Sequence, residues 1–383
     1  MSDPTALIAA WARSAVASHG GAFNTLQPHD IAAPVVRALL GRAGIRPQAV
    51  DAVVLGNALG AGGNPARMLA LVAGLAERCA AFSVDTQCCA GLDAVSMAVG
   101  LLASGQASVV IAGGVEAWSR SPIRQWRPLR AGEPAVPYEK PAFVPDPERD
   151  PDLLVSAALY AQQHGFSREQ QDAYAVLSHQ RAMAHAATLA CEIVPVNGLR
   201  QDAYPRVIDL GRAARMPIAV KRSQLECAVS TLAISAKADG AALVLLATPQ
   251  ACQDLGLAPQ VAWVTSASVG VDSMTPLIAA EQAARAAMAR ALVPSVDSLP
   301  VIELHDAFAV QGLSFCRALG LDPTRINRRG GGLARGHPIG ASGAIALVRL
   351  LSDLQRDEAA GARGLVAVAG AGGIGAAAIF QRL

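Results

Sequence analysis

Short β-branched runs alternate with Ala/Leu-rich stretches at both ends of the chain, and few architectures accommodate that alternation. Val53-Val54-Leu55, Val109-Val110-Ile111-Ala112, the run from Ala242 to Leu246, Val301-Ile302-Glu303-Leu304 and Leu365-Val366-Ala367-Val368 read as buried strands. Val95, Ala98, Val99 and Leu102 recur at helical spacing, as do Ile345, Leu347, Val348 and Leu351. The pattern predicts an α/β fold with covered sheets. The 35 glycines and long alanine runs require backbones to pack closely, and 383 residues suffice for two or three domains.

Composition excludes several classes of function. Charged residues are 16% against 52% apolar, which is incompatible with a disordered chain. A net charge of +2 leaves no electrostatic footprint for nucleic acid, and 4% aromatics are too few for stacking platforms. The apolar stretches are broken well short of the ~20 residues that span a membrane. The start, Met1-Ser2-Asp3-Pro4, lacks the pattern of a signal peptide. The cysteines at 79, 88, 89, 191, 227, 252 and 316 are odd in number and show no CxxC or paired-His spacing. Neither a disulfide framework nor a zinc site is expected, and a reducing cytoplasm fits.

The middle of the chain differs. Residues from about 118 to 236 carry Arg120, Arg124, Arg127 and Arg130, a Pro-rich stretch from Pro134 to Pro151, and a polar helical region around Arg168 to Met183. This reads as an insertion lying over the sheet domain. In each flanking half an apolar strand ends in a Gly cluster, Ala112-Gly113-Gly114-Val115-Glu116 and Ala369-Gly370-Ala371-Gly372-Gly373, which hints at duplication.

Three residues stand out chemically. Cys88, in Thr86-Gln87-Cys88-Cys89-Ala90-Gly91-Leu92, precedes a predicted helix whose macrodipole favours a thiolate, and Gly91 permits a tight turn beneath it. Taken alone, it reads equally as a small buried hydrophobe. His337, held between Gly336 and Pro338 on a stiff turn, is placed to accept a thiol proton and return it, or is a structural turn histidine. His305 closes a strand, where a ring N–H can aim at an oxyanion or merely cap the strand; Asp306 beside it need not touch it. Gly370-Ala371-Gly372-Gly373-Ile374-Gly375 formally matches GxGxxG. Only eight residues follow it, so a Gly-rich turn admitting a substrate to the backbone fits better than a dinucleotide site.

Together these segments resemble the thiolase family along essentially the whole chain. The resemblance rests on Ala12-Arg13-Ser14, Gly56-Asn57 with Asn64-Pro65-Ala66-Arg67, and the Cys88 loop. It continues through Gly113-Gly114-Val115-Glu116, Ser167-Arg168-Glu169-Gln170-Gln171-Asp172, Asp239-Gly240-Ala241-Ala242 and Gly336-His337-Pro338. It implies two duplicated βαβαβαββ halves forming a five-layered αβαβα core with an inserted CoA-binding loop domain. The halves are expected at 1–117 plus 237–257 and at 258–383, with the insertion at 118–236. The resemblance makes Cys88 the nucleophile that takes an acyl group from acyl-CoA and His337 its activator. Ser235 becomes a candidate for the pantetheine, and Lys221 and Arg222 candidates for CoA phosphates. No tightly bound cofactor is implied. CoA and acyl-CoA enter as substrates, and the expected assembly is a homodimer or homotetramer without nucleic acid or membrane partners.

The departures from the family matter for the chemistry. His305-Asp306-Ala307-Phe308 stands where the family usually places Asn-Glu-Ala-Phe, a form nearer the sterol-carrier-type branch. The family's second, acid/base cysteine falls either at Ala307 or at Ala369, and both are alanine here. Acylation of Cys88 is therefore expected, whereas removing an α-proton from an acceptor thioester lacks its usual base. Three readings follow: an acyl-CoA C-acyltransferase in which His337 or Cys89 replaces the base; a biosynthetic acyltransferase or decarboxylating ketoacyl synthase using Cys88, His305 and His337; or a non-catalytic scaffold subunit.

Overall fold

The structure, a computed structural model, describes residues 4–60, 62–220 and 228–383. Lys221 and Arg222 lie outside them. The first half contributes strands β1 (Leu7–Ser14), β2 (Ala52–Gly56), β3 (Ala80–Val84), β4 (Val109–Ala117) and β5 (Ala238–Ala247). The second contributes β6 (Val261–Gly270), β7 (Val301–His305), β8 (Arg363–Gly370) and β9 (Ile374–Arg382). All five apolar runs named above are strands; β1, β3, β6 and β9 carry none of them and escape that reading.

The strand order β7-β8-β9-β6-β1-β5-β4-β2-β3 contains the duplication. In the first half β1 pairs antiparallel with β5, β5 antiparallel with β4, and β4 parallel with β2. In the second, β6 pairs antiparallel with β9, β9 antiparallel with β8, and β8 parallel with β7. The two Gly clusters are not equivalent: Gly370 ends β8, whereas Gly113 and Gly114 lie in the middle of β4, paired with Leu243 and Ala242, so the first strand does not end in its cluster, contrary to expectation. β1 and β6 join the halves antiparallel at Leu7–Ile8.

Helices α1 (Pro28–Ala43), α2 (Pro65–Ala73), α3 (Ala90–Ala103), α4 (Leu153–Gln163), α5 (Arg168–Ala184), α6 (Ala279–Arg290), α7 (Ala309–Leu319) and α8 (Ser342–Asp357) complete the layers. α1 and α2 share a core with one face of the first half's strands, and α6 and α7 with one face of the second's. α3 and α8 lie between the two halves and share the central core. A helix held between two sheets must be apolar on nearly every side. α8 obeys this, with Leu347, Val348, Leu350, Leu351 and Leu354 all fully buried. Each such side chain contributes about 1.5–3 kcal/mol on burial. The layers run α-β-α-β-α.

The segment carrying α4 and α5 leaves the sheet at Ala117 and returns at Ala238; Ala117 pairs with Asp239, so both ends sit side by side. It begins with a short hairpin, Arg124–Trp126 against Val136–Tyr138. Ser167 and Gln170 form the capping box that starts α5.

Candidate active site

The Cys88 loop is built by close backbone contact. Gly56 ends β2 against the loop: a Cβ there would meet the Ala90 carbonyl carbon at 2.4 Å. Gly114 faces Gly340, whose oxygen a Cβ would meet at 1.9 Å. The expectation for Gly91 needs correction. It lies inside α3, where its lack of a side chain makes room for the Gly340 carbonyl; the turn itself is made by Gln87, a non-glycine residue at φ 54°. Asp85 accepts from the Gln87 N–H at 3.0 Å. Asp93, in the first turn of α3, accepts from Thr86 Oγ1 and from Ser268 Oγ on β6, both at 2.6 Å, so the loop is tied to both halves.

Cys88 Sγ lies 3.1 Å from His337 Nε2. His337 Nδ1 lies 2.7 Å from Ser342 Oγ, while the Ser342 hydroxyl lies 2.9 Å from the Pro338 carbonyl. A hydroxyl has one hydrogen. The carbonyl takes it, so Nδ1 must carry the ring proton and donate to Ser342. Nε2 is left bare and facing the thiol. Sequence reasoning missed this role of Ser342, although the residue lies inside the histidine's own motif, five positions on. The His337 backbone is held by its N–H donating to the Ala236 carbonyl at 2.7 Å.

Charge at the pair is set by burial more than by the helix. Desolvation raises the Cys88 thiol to about 12, against smaller opposing effects of hydrogen bonds from the backbone N–H groups of Ala371 and of Cys88 itself. The expected thiolate-favouring macrodipole does not prevail. Desolvation likewise lowers His337 to about 4. The resting pair is a neutral thiol and a neutral imidazole. The two N–H groups at the sulfur suit an anion forming there. That of Ala371 comes from the second Gly cluster, so this segment is indeed a turn presenting backbone beside the thiol.

Glu116, at the end of β4, is the residue that unites the loops. Its carboxylate accepts from Asn57 Nδ2 at 2.8 Å and from the backbone N–H groups of Ala58 and Gly340 at 3.0 Å each. Burial raises it to about 7, despite those N–H donors. In the sequence it was marked by its Gly cluster and by the thiolase-like segment Gly113-Gly114-Val115-Glu116, neither of which shows its partners.

The other expected residues fare differently. The His305 ring lies 4.4 Å from that of His337, centroid to centroid, and its Nε2 is buried without a partner. It lines neither cavity beside Cys88 and stands behind His337. Asp306 does not orient it; it accepts from Tyr174 Oη at 2.9 Å and Asn327 Nδ2 at 3.2 Å. Cys89 turns away from the pair, its Sγ 3.7 Å from the Val368 carbonyl, and desolvation raises it well above an ordinary thiol. Cys89 lines neither cavity beside Cys88.

Two cavities share Cys88, His337 and Ala371. The narrow one, about 100 Å³, is lined by Ser156, Ser235, Phe308 and Gln311 and by both Ala307 and Ala369. The methyl groups at the family's two usual second-cysteine positions thus border the space beside the nucleophile. Ser235 donates its hydroxyl hydrogen to the Gly332 carbonyl at 2.7 Å. The wide cavity, about 580 Å³, lies toward the insertion and the end of β4. A groove of about 850 Å³ beside Trp11, Arg42 and Cys191 shares none of these residues. Among the described residues no His, Cys, Asp or Glu cluster fits a metal.

Fold and site together define a class, duplicated five-layered α/β proteins with a Cys–His pair where their halves meet. The thiolase N-terminal domain matches residues 6–250 and the thiolase C-terminal domain residues 257–382, and the chain belongs to the thiolase family. It is 34% identical to an acetyl-CoA acetyltransferase of Thiocystis violacea and 35% to one of Rhizobium meliloti, each over the full length of both chains. Its structure is similar to that of the Acat5 thiolase from Ascaris suum in complex with coenzyme A, with a TM-score of 0.90 and 26% identity, covering 99% of this chain and all of that one. The acetyl-CoA acetyltransferase of Bacillus anthracis gives 0.88 and 28%, with 99% of each chain covered.

Proposed function

We propose that this thiolase-family protein is an acyl-CoA acyltransferase working through an acyl thioester on Cys88. The observation that carries the reading is the 3.1 Å Sγ–Nε2 contact, with the histidine held in the tautomer that accepts a proton. Cys88 Sγ attacks the thioester carbonyl as its proton passes to His337 Nε2. The oxyanion is met by the N–H groups of Cys88 and Ala371, and the imidazolium returns the proton to the departing CoA thiolate. Glu116 and Ser342 are positioning residues. His305 limits the space around His337, and Ser235 offers lone pairs to the substrate from the narrow cavity's wall.

The test is cleavage of acetoacetyl-CoA by CoA, with Cys88→Ala as control and intact mass read alongside. Cys88-dependent cleavage is the outcome for a thiolase making or breaking 3-ketoacyl-CoA. A second reading is favoured by Ala307 and Ala369, because among the described residues the narrow cavity's only titratable side chains are Cys88 and His337. A histidine this acidic is a weak base for a carbon acid. An acceptor that is already nucleophilic, or becomes so by losing carbon dioxide, needs no such base. An acyl group on Cys88 without cleavage, followed by carbon dioxide release from malonyl-CoA, is the outcome for that reading. Absence of any acyl group on Cys88 would leave the scaffold reading.

The three-part division at 118–236 is supported by the adjacent exit and return of the insertion at Ala117 and Asp239. Association of two copies along β3 is supported by its place at the edge of the sheet, with Phe82, Met68 and Leu71 exposed on it and on neighbouring α2. Light scattering should give a dimer or tetramer, and Phe82→Glu a smaller species. No helix among the described residues is long and apolar enough to cross a membrane; the cytoplasmic expectation rests on the cysteine usage.

A further inference from the structure

The two cavities beside Cys88 differ in chemistry as well as size. In the narrow one, Ser235 and Ser156 donate their hydroxyl hydrogens to the carbonyls of Gly332 and Met274, so what they offer a ligand is lone pairs. Gln311 is buried there, its Oε1 accepting from the Ala307 N–H at 2.9 Å and its Nε2 without a partner. A thin chain bearing amides, with N–H groups for the serines and a carbonyl for Gln311, satisfies this wall; the pantetheine arm is such a chain.

The wide cavity offers something else. Trp118, Tyr138, Phe143, Leu153 and Ile339 line it. Four of its five charged residues are engaged by the protein. Arg124 donates to the Leu59 carbonyl at 2.8 Å and Lys140 to that of Pro151 at 3.0 Å. Asp152 caps α4, and Lys237 Nζ stands 4.9 Å from the centre of the Trp118 ring. Glu139 is at the exposed rim. An acetyl group occupies the space of about two waters, on the order of 60 Å³. The cavity's volume of about 580 Å³ falls in the range that houses whole ligands.

The geometry points to an acyl donor with a bulky apolar acyl group, seated against Trp118, Tyr138 and Phe143 in the wide cavity while its pantetheine arm runs past Gln311 in the narrow one. This rests on the acyl-Cys88 reading and adds the substrate class. Acyl chains of several carbons, and aryl-terminated ones, gain apolar contact there that acetyl cannot reach.

The experiment follows Cys88 acylation of the full chain by intact mass, with acetyl-CoA, octanoyl-CoA and phenylacetyl-CoA as probes. Octanoyl and phenylacetyl transfer at least ten times faster than acetyl is the expected result. Acetyl transfer as fast or faster overturns the substrate class while leaving the acyl-enzyme intact; no transfer from any probe overturns both. Ser121→Trp, which adds a ring to the wide cavity's wall, should lower the octanoyl-to-acetyl ratio at least tenfold, and Pro122→Phe does the same should that variant fail to fold. Unchanged ratios in the folded variant overturn the seating.

Discussion

Cys88 and His337 illustrate how burial overrides local dipoles. With the thiol at about 12 and the imidazole at about 4, the reactive protonation state, S–H facing a bare Nε2, fills the whole interval between them. Acylation should therefore be flat from about pH 6 to 9 and fall as pH drops toward 4, where the imidazole charges and ceases to accept. A pH profile of Cys88 acylation by intact mass checks this; a rise centred near pH 8 would instead mean a conventional thiol. The paired alanines make a second prediction. Ala369→Cys places a thiol on the narrow cavity's wall and should raise acetoacetyl-CoA cleavage on the order of 10²-fold, read by loss of the diketo absorbance. No gain would show that the missing base is not what limits that reaction.

At the scale of elements, Glu116 holds three segments in register. It ends β4 and receives N–H groups from the turn after β2 and from the turn before α8. Glu116→Ala leaves these donors unpaired and frees the histidine loop to shift. A misplacement of about 1 Å costs on the order of 10²-fold in rate. The expected result is that loss in the acylation rate with Cys88 still present in reduced form, while Glu116→Gln, which retains one acceptor oxygen, falls between. Equal rates for wild type and Glu116→Ala would reduce Glu116 to a packing role. The Glu116 site was legible as a strand end and as part of a thiolase-like segment, with an acid after two glycines. Its partners, separated from it by 58 and 224 positions, leave no local trace.

Across the whole molecule, a buried ionic cluster fastens the parts together. Arg13 of β1 forms a 2.6 Å bond to Glu192 of the insertion and a two-point bond to Asp202, at 2.6 and 2.9 Å. Arg349 of α8 pairs with the other oxygen of Glu192 and, at 2.6 Å, with Asp353. Burial opposes ionisation of Glu192, but Arg349 and Arg13 overcome it and hold the carboxyl at about 2. A depressed acid stabilises the fold above its unfolded value, near 4.3, and loses that contribution as pH falls toward 2. Removing one partner of a buried pair costs about 3–5 kcal/mol. Glu192→Ala should lower the urea midpoint accordingly and shrink the difference in stability between pH 7 and pH 3; an unchanged midpoint would mean the arginines find other partners.

What the sequence determined alone follows from local periodicity and composition. Apolar runs and period-3.6 patterns are properties of neighbouring residues, so five of the nine strands β1 to β9, the α/β class and the candidate residues Cys88 and His337 could be read directly. β1 escaped because Ile8 is its only β-branched residue and Arg13 interrupts its apolar pattern, and Arg13 is buried only because Glu192 and Asp202 arrive from the insertion. Tertiary structure alone decided the ionisation of the thiol, the direction of Cys89, the tautomer of His337 and the two cavities. Each depends on atoms brought together across the chain, as with the 249 positions between Cys88 and His337, and on exclusion of water, which no single segment controls.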